Sequence, residues 1–207
     1  MKEGNIKTKS IGITGGVGSG KTAILQHFQN NYHAKIIVAD QVAHLLEAPG
    51  EPCYNELVGI FGKSILREDG FLDTGAFAQL IFSSPEALQK VNEIIHPEVK
   101  KYIIRTIEEE KMKETPYVVV EAALLLEEGY DRLLDEIWYI YTAEDNRRLR
   151  LQQSRGYSDD KIDKIMAKQL TEAQFREKCK VVIDNNGPLE DTIAQMDAIL
   201  HKGEEVT

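Results

Sequence analysis

Apolar residues in this chain come in short continuous blocks, separated by longer stretches of mixed character. The blocks are Ser10 to Thr14, Lys35 to Val38, Tyr117 to Glu121, Ile137 to Tyr141 and Val181 to Ile183. Each is apolar on both alternating faces, the pattern of a strand buried from both sides. Between them the apolar positions recur at helical spacing, as at Ile193, Met196, Ile199 and Leu200. Strand and helix therefore alternate. That order predicts an α/β fold, a parallel five-stranded sheet with helices on both faces.

Boundary signals sharpen the helices. Ser84-Pro85 puts a cap before a proline at the first helical position. Thr142 with Asp145 three residues later resembles a capping box. Ser158 precedes Asp159 and Asp160, acids suited to a first turn. Gly187-Pro188 opens the last helix. His96-Pro97 is expected to lie between two helices, with His96 as a cap or structural donor.

From Asp40 to Glu114 no core-type strand is legible. Gly/Pro turns at 48–52, 61–62 and 68–70 divide this stretch into helices. The expected organisation is a core of residues 1–40 and 115–207 with a helical insertion at 41–114. An insertion after the second strand lies beyond the strands' carboxyl ends, where a phosphate acceptor would dock. Phe61, Phe71, Phe77 and Phe82, with Tyr54, are expected to form its small core, one or two of them lining a pocket for an apolar ligand arm.

The chemistry is signalled at Gly15-Gly16-Val17-Gly18-Ser19-Gly20-Lys21-Thr22. This matches Gly-x-x-x-x-Gly-Lys-Thr and sits between a strand and a helix opening at Ala23, the context the motif needs. Glycines let the loop curl so that N–H groups point inward. Lys21 reaches the β- and γ-phosphates, and the Thr22 hydroxyl suits Mg²⁺.

Other candidates each admit two readings. Asp40 follows the second strand, as a base for an acceptor hydroxyl or as a helix cap. Glu121 ends the third strand, as a Mg²⁺ ligand held through water or as a solvated strand end. Glu127 is similarly ambiguous. Arg147, Arg148, Arg150 and Arg155 form a run free of acids between Asn146 and Ser158. They are either a flap closing over a nucleotide or a solvated helix face. Asp184-Asn185-Asn186-Gly187 is a turn that also has backbone groups to offer an adenine.

Bulk properties narrow the class. A net charge of −9 argues against nucleic-acid binding, so any anion site must be built locally. Cys53 and Cys179 have no metal-ligand or disulfide-framework spacing. No apolar run is long enough to span a bilayer, and Met1 to Lys9 shows no signal-peptide core, so a cytoplasmic address is expected. There is no Asn/Thr-Lys-x-Asp guanine motif and no transporter signature. A phosphate loop, a post-strand acid, a helical insertion and late arginines fit a small-molecule kinase. A non-catalytic nucleotide sensor is the competing class.

In order, Ile13-Thr14-Gly15-Gly16, Gly18 to Lys21, Ala39-Asp40, Pro49 to Pro52 and Phe61-Gly62 resemble the dephospho-CoA kinase family. So do Asp69 to Asp73, Ile95-His96-Pro97, Leu124 to Glu127 and Val182 to Gly187. The resemblance covers nearly the whole chain. It implies a P-loop NTPase core in three layers, a CoA-binding insertion and a helical lid at about 143–170. It implies transfer of the ATP γ-phosphoryl to the ribose 3′-hydroxyl of dephospho-CoA, the last step of coenzyme A synthesis, with Mg²⁺. Asp40 then matches the base. Gly18 to Ala23 match the family's ATP-binding run; with them, Gly15 to Val17 and Asn185 are expected to contact the nucleotide, and Thr22 and Glu121 to serve the metal. Lys21, Arg150 and Arg155 would stabilise charge. The chain departs from the family's usual residues at Val38, His44, Ala123 and Ser154. The alternative within the same class is a kinase of another small alcohol or nucleotide.

Overall fold

The structure is a computed structural model that describes residues 7–204. Five strands form one parallel sheet in the order β2-β3-β1-β4-β5: β1 Lys9–Thr14, β2 Lys35–Val38, β3 Tyr117–Glu121, β4 Glu136–Tyr141 and β5 Val181–Asp184. Each expected strand is present to within a residue at its ends. The helices among the described residues are α1 Lys21–Tyr32, α2 Ala39–Leu46, α3 Pro52–Phe61, α4 Thr74–Ser83 and α5 Pro85–Met112. They continue as α6 Glu144–Arg155, α7 Asp159–Met166, α8 Glu172–Lys178 and α9 Leu189–Glu204.

The chain divides into two compact units, the described parts of Met1–Ile36 and Glu110–Thr207 forming one, and Ile37–Glu109 the other. In the first, Ile11, Ile13, Val119, Trp138, Ile140 and Ile183 line the sheet core and are fully buried. Phe28 on α1 packs on Trp138 with ring centroids 5.5 Å apart, and Met196 and Leu200 of α9 join the same cluster. Burying each such side chain stabilises by roughly 1.5–3 kcal/mol, which fixes the sheet behind the loop that follows β1. That loop lies where the strand order reverses, between β3 and β4. Parallel sheets bind ligands at such switch points.

The second unit holds α2, α3, α4 and most of α5. Only Phe77 of its four phenylalanines is buried, while Phe71 is 47% and Phe82 is 85% exposed. The expected aromatic core is instead aliphatic, built on Leu57, Ile65, Val91, Ile94, Ile95 and Val99. The expected break at His96-Pro97 is absent too, because α5 runs through Pro97. Ala87, Val91, Ile95, Val99, Ile103 and Ile107 fall at four-residue spacing and are all buried. This continuous stripe outweighs the roughly 3 kcal/mol that an interior proline costs. Ser84, by contrast, caps α5 as expected, accepting from Ala87 N at 3.1 Å.

Candidate active site

The loop after β1 is built around inward backbone. Among the described residues nothing accepts the N–H of Gly16, Gly18 or Gly20. Gly20 precedes α1 with φ 87, a conformation costly for any side chain, and a Cβ there would overlap Asn185 Nδ2. Arg147 lies directly over Gly16, where a Cβ would overlap its Nη1, the movable end of a flexible side chain. Unbonded N–H groups in a curled loop at a helix N-terminus make an anion cradle.

Lys21 is the loop's own cation. Its Nζ donates to the Gly15 carbonyl at 2.9 Å and lies 3.7 Å from Glu121 Oε1, with both side chains mostly buried. Pairing of Ile13 with Glu121 across β1 and β3 sets the acid level with the start of the loop.

A second layer holds the loop from behind. The Ser19 carbonyl receives Asn185 Nδ2 at 2.7 Å, Thr142 Oγ1 at 3.1 Å and Arg150 Nη1 at 3.5 Å. Arg150 Nη2 donates to the Asn185 carbonyl at 2.8 Å, and Thr192 Oγ1 donates to Asn185 Oδ1 at 2.8 Å. Asn185 is therefore a buried brace of the phosphate loop, with both ends of its carboxamide engaged. Thr142 does not cap α6 as its spacing suggested. It is buried and spends its hydroxyl on the Ser19 and Asn185 carbonyls. Asn186 takes over at α6, accepting from Ala143 N at 2.8 Å and Asn146 Nδ2 at 3.0 Å.

The four arginines separate. Arg147 covers Gly16, and its buried Nε has no hydrogen-bond partner among the described residues. Arg150 joins the brace. Arg148 is bound by Glu144 at 2.7 Å and Asp163 at 2.5 Å, acids just outside the acid-free run. Arg155 lies 5.9 Å over the Tyr157 ring rather than at the loop. Sequence reasoning assigned Arg150 and Arg155 to the site and left Arg147 in the general patch. The three-residue step from Arg147 to Arg150, which puts both on one helix face, was the signal for it.

Asp40 is the second residue of α2, exposed, and is not its cap, since Val38 holds that position without a side-chain bond. This removes the capping alternative for Asp40. His44 on the same helix is 3.3 Å from Glu47 Oε2, and burial holds the Glu47 carboxyl above its usual range. Thr22 is exposed in the first turn of α1. Ala23 N is used by the Gly20 carbonyl at 3.3 Å. Among the described residues no three His, Cys, Asp or Glu side chains gather as a metal site. No described helix is long and apolar enough to cross a membrane. Both cysteines are free and buried, and burial pushes each thiol up to about 11. They carry no thiolate chemistry at neutral pH.

The family model described as dephospho-CoA kinase matches residues 9–191. The chain belongs to the dephospho-CoA kinase family. It is 37% identical to the dephospho-CoA kinase of Carboxydothermus hydrogenoformans over 195 residues, covering 93% of each chain. It is 34% identical to that of Streptococcus mutans, covering 94% of this chain and 98% of the relative. Among solved structures it resembles TT1252 from Thermus thermophilus, with TM-score 0.78, 28% identity and coverage of 95% and 98%. A shikimate kinase from Acinetobacter baumannii, at TM-score 0.53 and 12% identity over 98% and 97% of the chains, shares the fold alone. Both the α/β fold expected from the alternation of strand and helix and the P-loop core that the resemblance implied are thus found.

Proposed function

We propose that this chain transfers the γ-phosphoryl group of ATP to the ribose 3′-hydroxyl of dephospho-CoA, with Asp40 as the base. The observation that carries the reading is the loop at 15–22, with N–H groups open and Lys21, Arg147 and Arg150 around it. In a chain of net charge −9, these cations and backbone dipoles form the local anion site that composition demanded. Membership of the dephospho-CoA kinase family over residues 9–191 supplies the acceptor.

The chemistry follows from the parts. The loop's N–H groups and Lys21 hold the phosphates of ATP and orient the γ-phosphorus for in-line attack. The 3′-oxygen bonds to that phosphorus as its bond to the β–γ bridging oxygen breaks. The 3′-hydroxyl proton passes to the Asp40 carboxylate, and ADP leaves. Lys21, Arg147 and Arg150 would stabilise the charge that develops on the phosphoryl oxygens. Exposure of Asp40 in the first turn of α2 leaves its carboxylate available to an acceptor.

Mg²⁺ fits the donor set, because Thr22 offers a hydroxyl and Glu121 a carboxylate, hard oxygens that phosphate and water oxygens would complete. Bound there, the ion would neutralise phosphate charge. In this reading the second unit carries the CoA-binding role and 143–170 the lid. Asn185 serves the nucleotide by shaping the loop, and Arg155 enters only if the lid moves. The address is cytoplasmic.

ADP release should be measured with ATP and Mg²⁺ and, separately, dephospho-CoA, adenosine monophosphate or shikimate. Release that depends on dephospho-CoA alone is expected. Preference for another acceptor would identify a different kinase, and no acceptor-dependent release would identify a sensor. Asp40→Asn should lower turnover by about 10²-fold while ATP binding is retained. Near-normal turnover would remove Asp40 from the base role.

A further inference from the structure

One N–H of the phosphate loop is already taken by a side chain. Val17 N donates to Gln169 Oε1 at 3.0 Å, across 152 residues of sequence. Gln169 lies in the short turn between α7 and α8. That turn is anchored on both sides. Gln169 N bonds to the Met166 carbonyl at 3.0 Å. Two residues later, Thr171 and Gln174 form a capping box at the start of α8. The carboxamide thus rides on a fixed piece of backbone.

The two ends of the loop meet different phosphates. Lys21, whose ammonium reaches the β- and γ-phosphates, is bonded to the Gly15 carbonyl. The Gly15–Val17 end is therefore the terminal-phosphate end, and the N-terminus of α1 holds the inner phosphates. Gln169 Oε1 and Arg147 Nη1 both stand over Gly16 at that terminal end, Oε1 at 3.3 Å from where a Cβ would be. A carboxamide that accepts through Oε1 keeps two N–H donors on Nε2, and among the described residues neither is spent on another protein group. The buried Nε of Arg147 is likewise without a hydrogen-bond partner among the described residues. The carboxamide and the guanidinium, carried by two different elements, thus both stand over Gly16 with donors to offer a phosphate oxygen.

From this juxtaposition we infer that Gln169 distinguishes ATP from ADP, fixing its carboxamide on Val17 N–H so that Nε2 meets the terminal phosphate. The inference rests on the loop's being the ATP site. Glutamine is suited to this because it both accepts and donates. A glutamate would keep the bond to Val17 but place a negative charge beside the phosphate, and a leucine would lose both contacts.

Equilibrium binding of ADP and of a non-hydrolysable ATP analogue to the full chain tests this in wild type, Gln169→Glu and Gln169→Leu. Gln169→Glu should weaken the analogue about tenfold or more and ADP by less than about twofold. Gln169→Leu should weaken the analogue several-fold, again sparing ADP. A role confined to bracing the loop predicts the opposite pattern: Glu harmless to both ligands and Leu equally harmful to both. Either result would overturn the inference, as would no change in either variant. Unchanged ADP affinity also reports that each variant is folded. Failure of wild type to bind ADP at all would instead defeat the reading of the loop itself.

Discussion

Arg147 and Arg150 share one face of α6 with Leu151, which is 1% exposed, while Arg148 and Arg155 lie on the other. Residue type, helix and formal charge are the same, yet the surroundings differ. Of the inner pair, Arg150 meets backbone carbonyls and Arg147 stands over Gly16, and among the described residues neither meets a carboxylate. Of the outer pair, Arg148 meets Glu144, Asp163 and, at 3.9 Å, Asp159, and Arg155 meets Tyr157. A cation already neutralised by acids gives little field to an incoming phosphate. A cation held on carbonyl oxygens keeps its full charge and is fixed in direction. What separates a site from a basic patch is thus the identity of the partners, not the number of arginines.

The largest test of this contrast is Arg150→Met. It removes the donors to the Asn185 and Ser19 carbonyls and, with them, both a positive charge and part of the loop's support. Steady-state kinetics should show kcat/KM lowered by about 10²- to 10³-fold. A loss of threefold or less would mean that the inner face is scaffolding only.

Arg147→Met comes next, with about a tenfold loss in kcat/KM. Among the described residues this arginine leaves Nε unpaired and makes no hydrogen bond to the loop carbonyls, so its removal should cost function and spare the fold. Gly16→Ala sharpens the assignment. The added methyl meets the far end of a flexible side chain and would push the guanidinium aside. It should therefore mimic Arg147→Met in ATP affinity with little change in melting temperature. Wild-type ATP affinity in Gly16→Ala, measured by titration, would show that Arg147 does not need its observed position.

How much of this was readable beforehand depended on the range of the interaction. Buried parallel strands announce themselves because both faces must be apolar, as in Val118-Val119-Val120. The phosphate loop was legible because its residues are contiguous and their roles are set by spacing. Thr142 misled because a capping box needs particular backbone angles as well as spacing, and the same hydroxyl was worth more on two buried carbonyls. Pro97 misled because a local rule met a stripe of buried residues from Ala87 to Ile107. Asn185 looked like part of a turn, and nothing within its own segment reveals Ser19 across 166 residues. Gln169 was invisible for the same reason. Patterns report on neighbours along the chain, whereas the second layer of this site is held by contacts at long separation.

The smallest expected effect closes the contrast from the outer face. Arg148 makes two bonds to Glu144, from Nε at 2.9 Å and Nη2 at 2.7 Å, and one to Asp163 on α7. These acids raise its already high pKa further, so it stays charged at any working pH. The acids are more than half exposed, where solvent screening takes most of the value of an ion pair. Arg148→Met should leave kcat/KM within about twofold and shift the melting midpoint by less than about 3 °C. What shift there is should shrink further in high salt, because exposed pairs are screened over a Debye length of about 10 Å at 0.1 M. A loss of activity approaching that of Arg147→Met would break the division of α6 into a working face and a solvated one. It would mean that the tie between α6 and α7, rather than the charge facing the loop, governs the reaction.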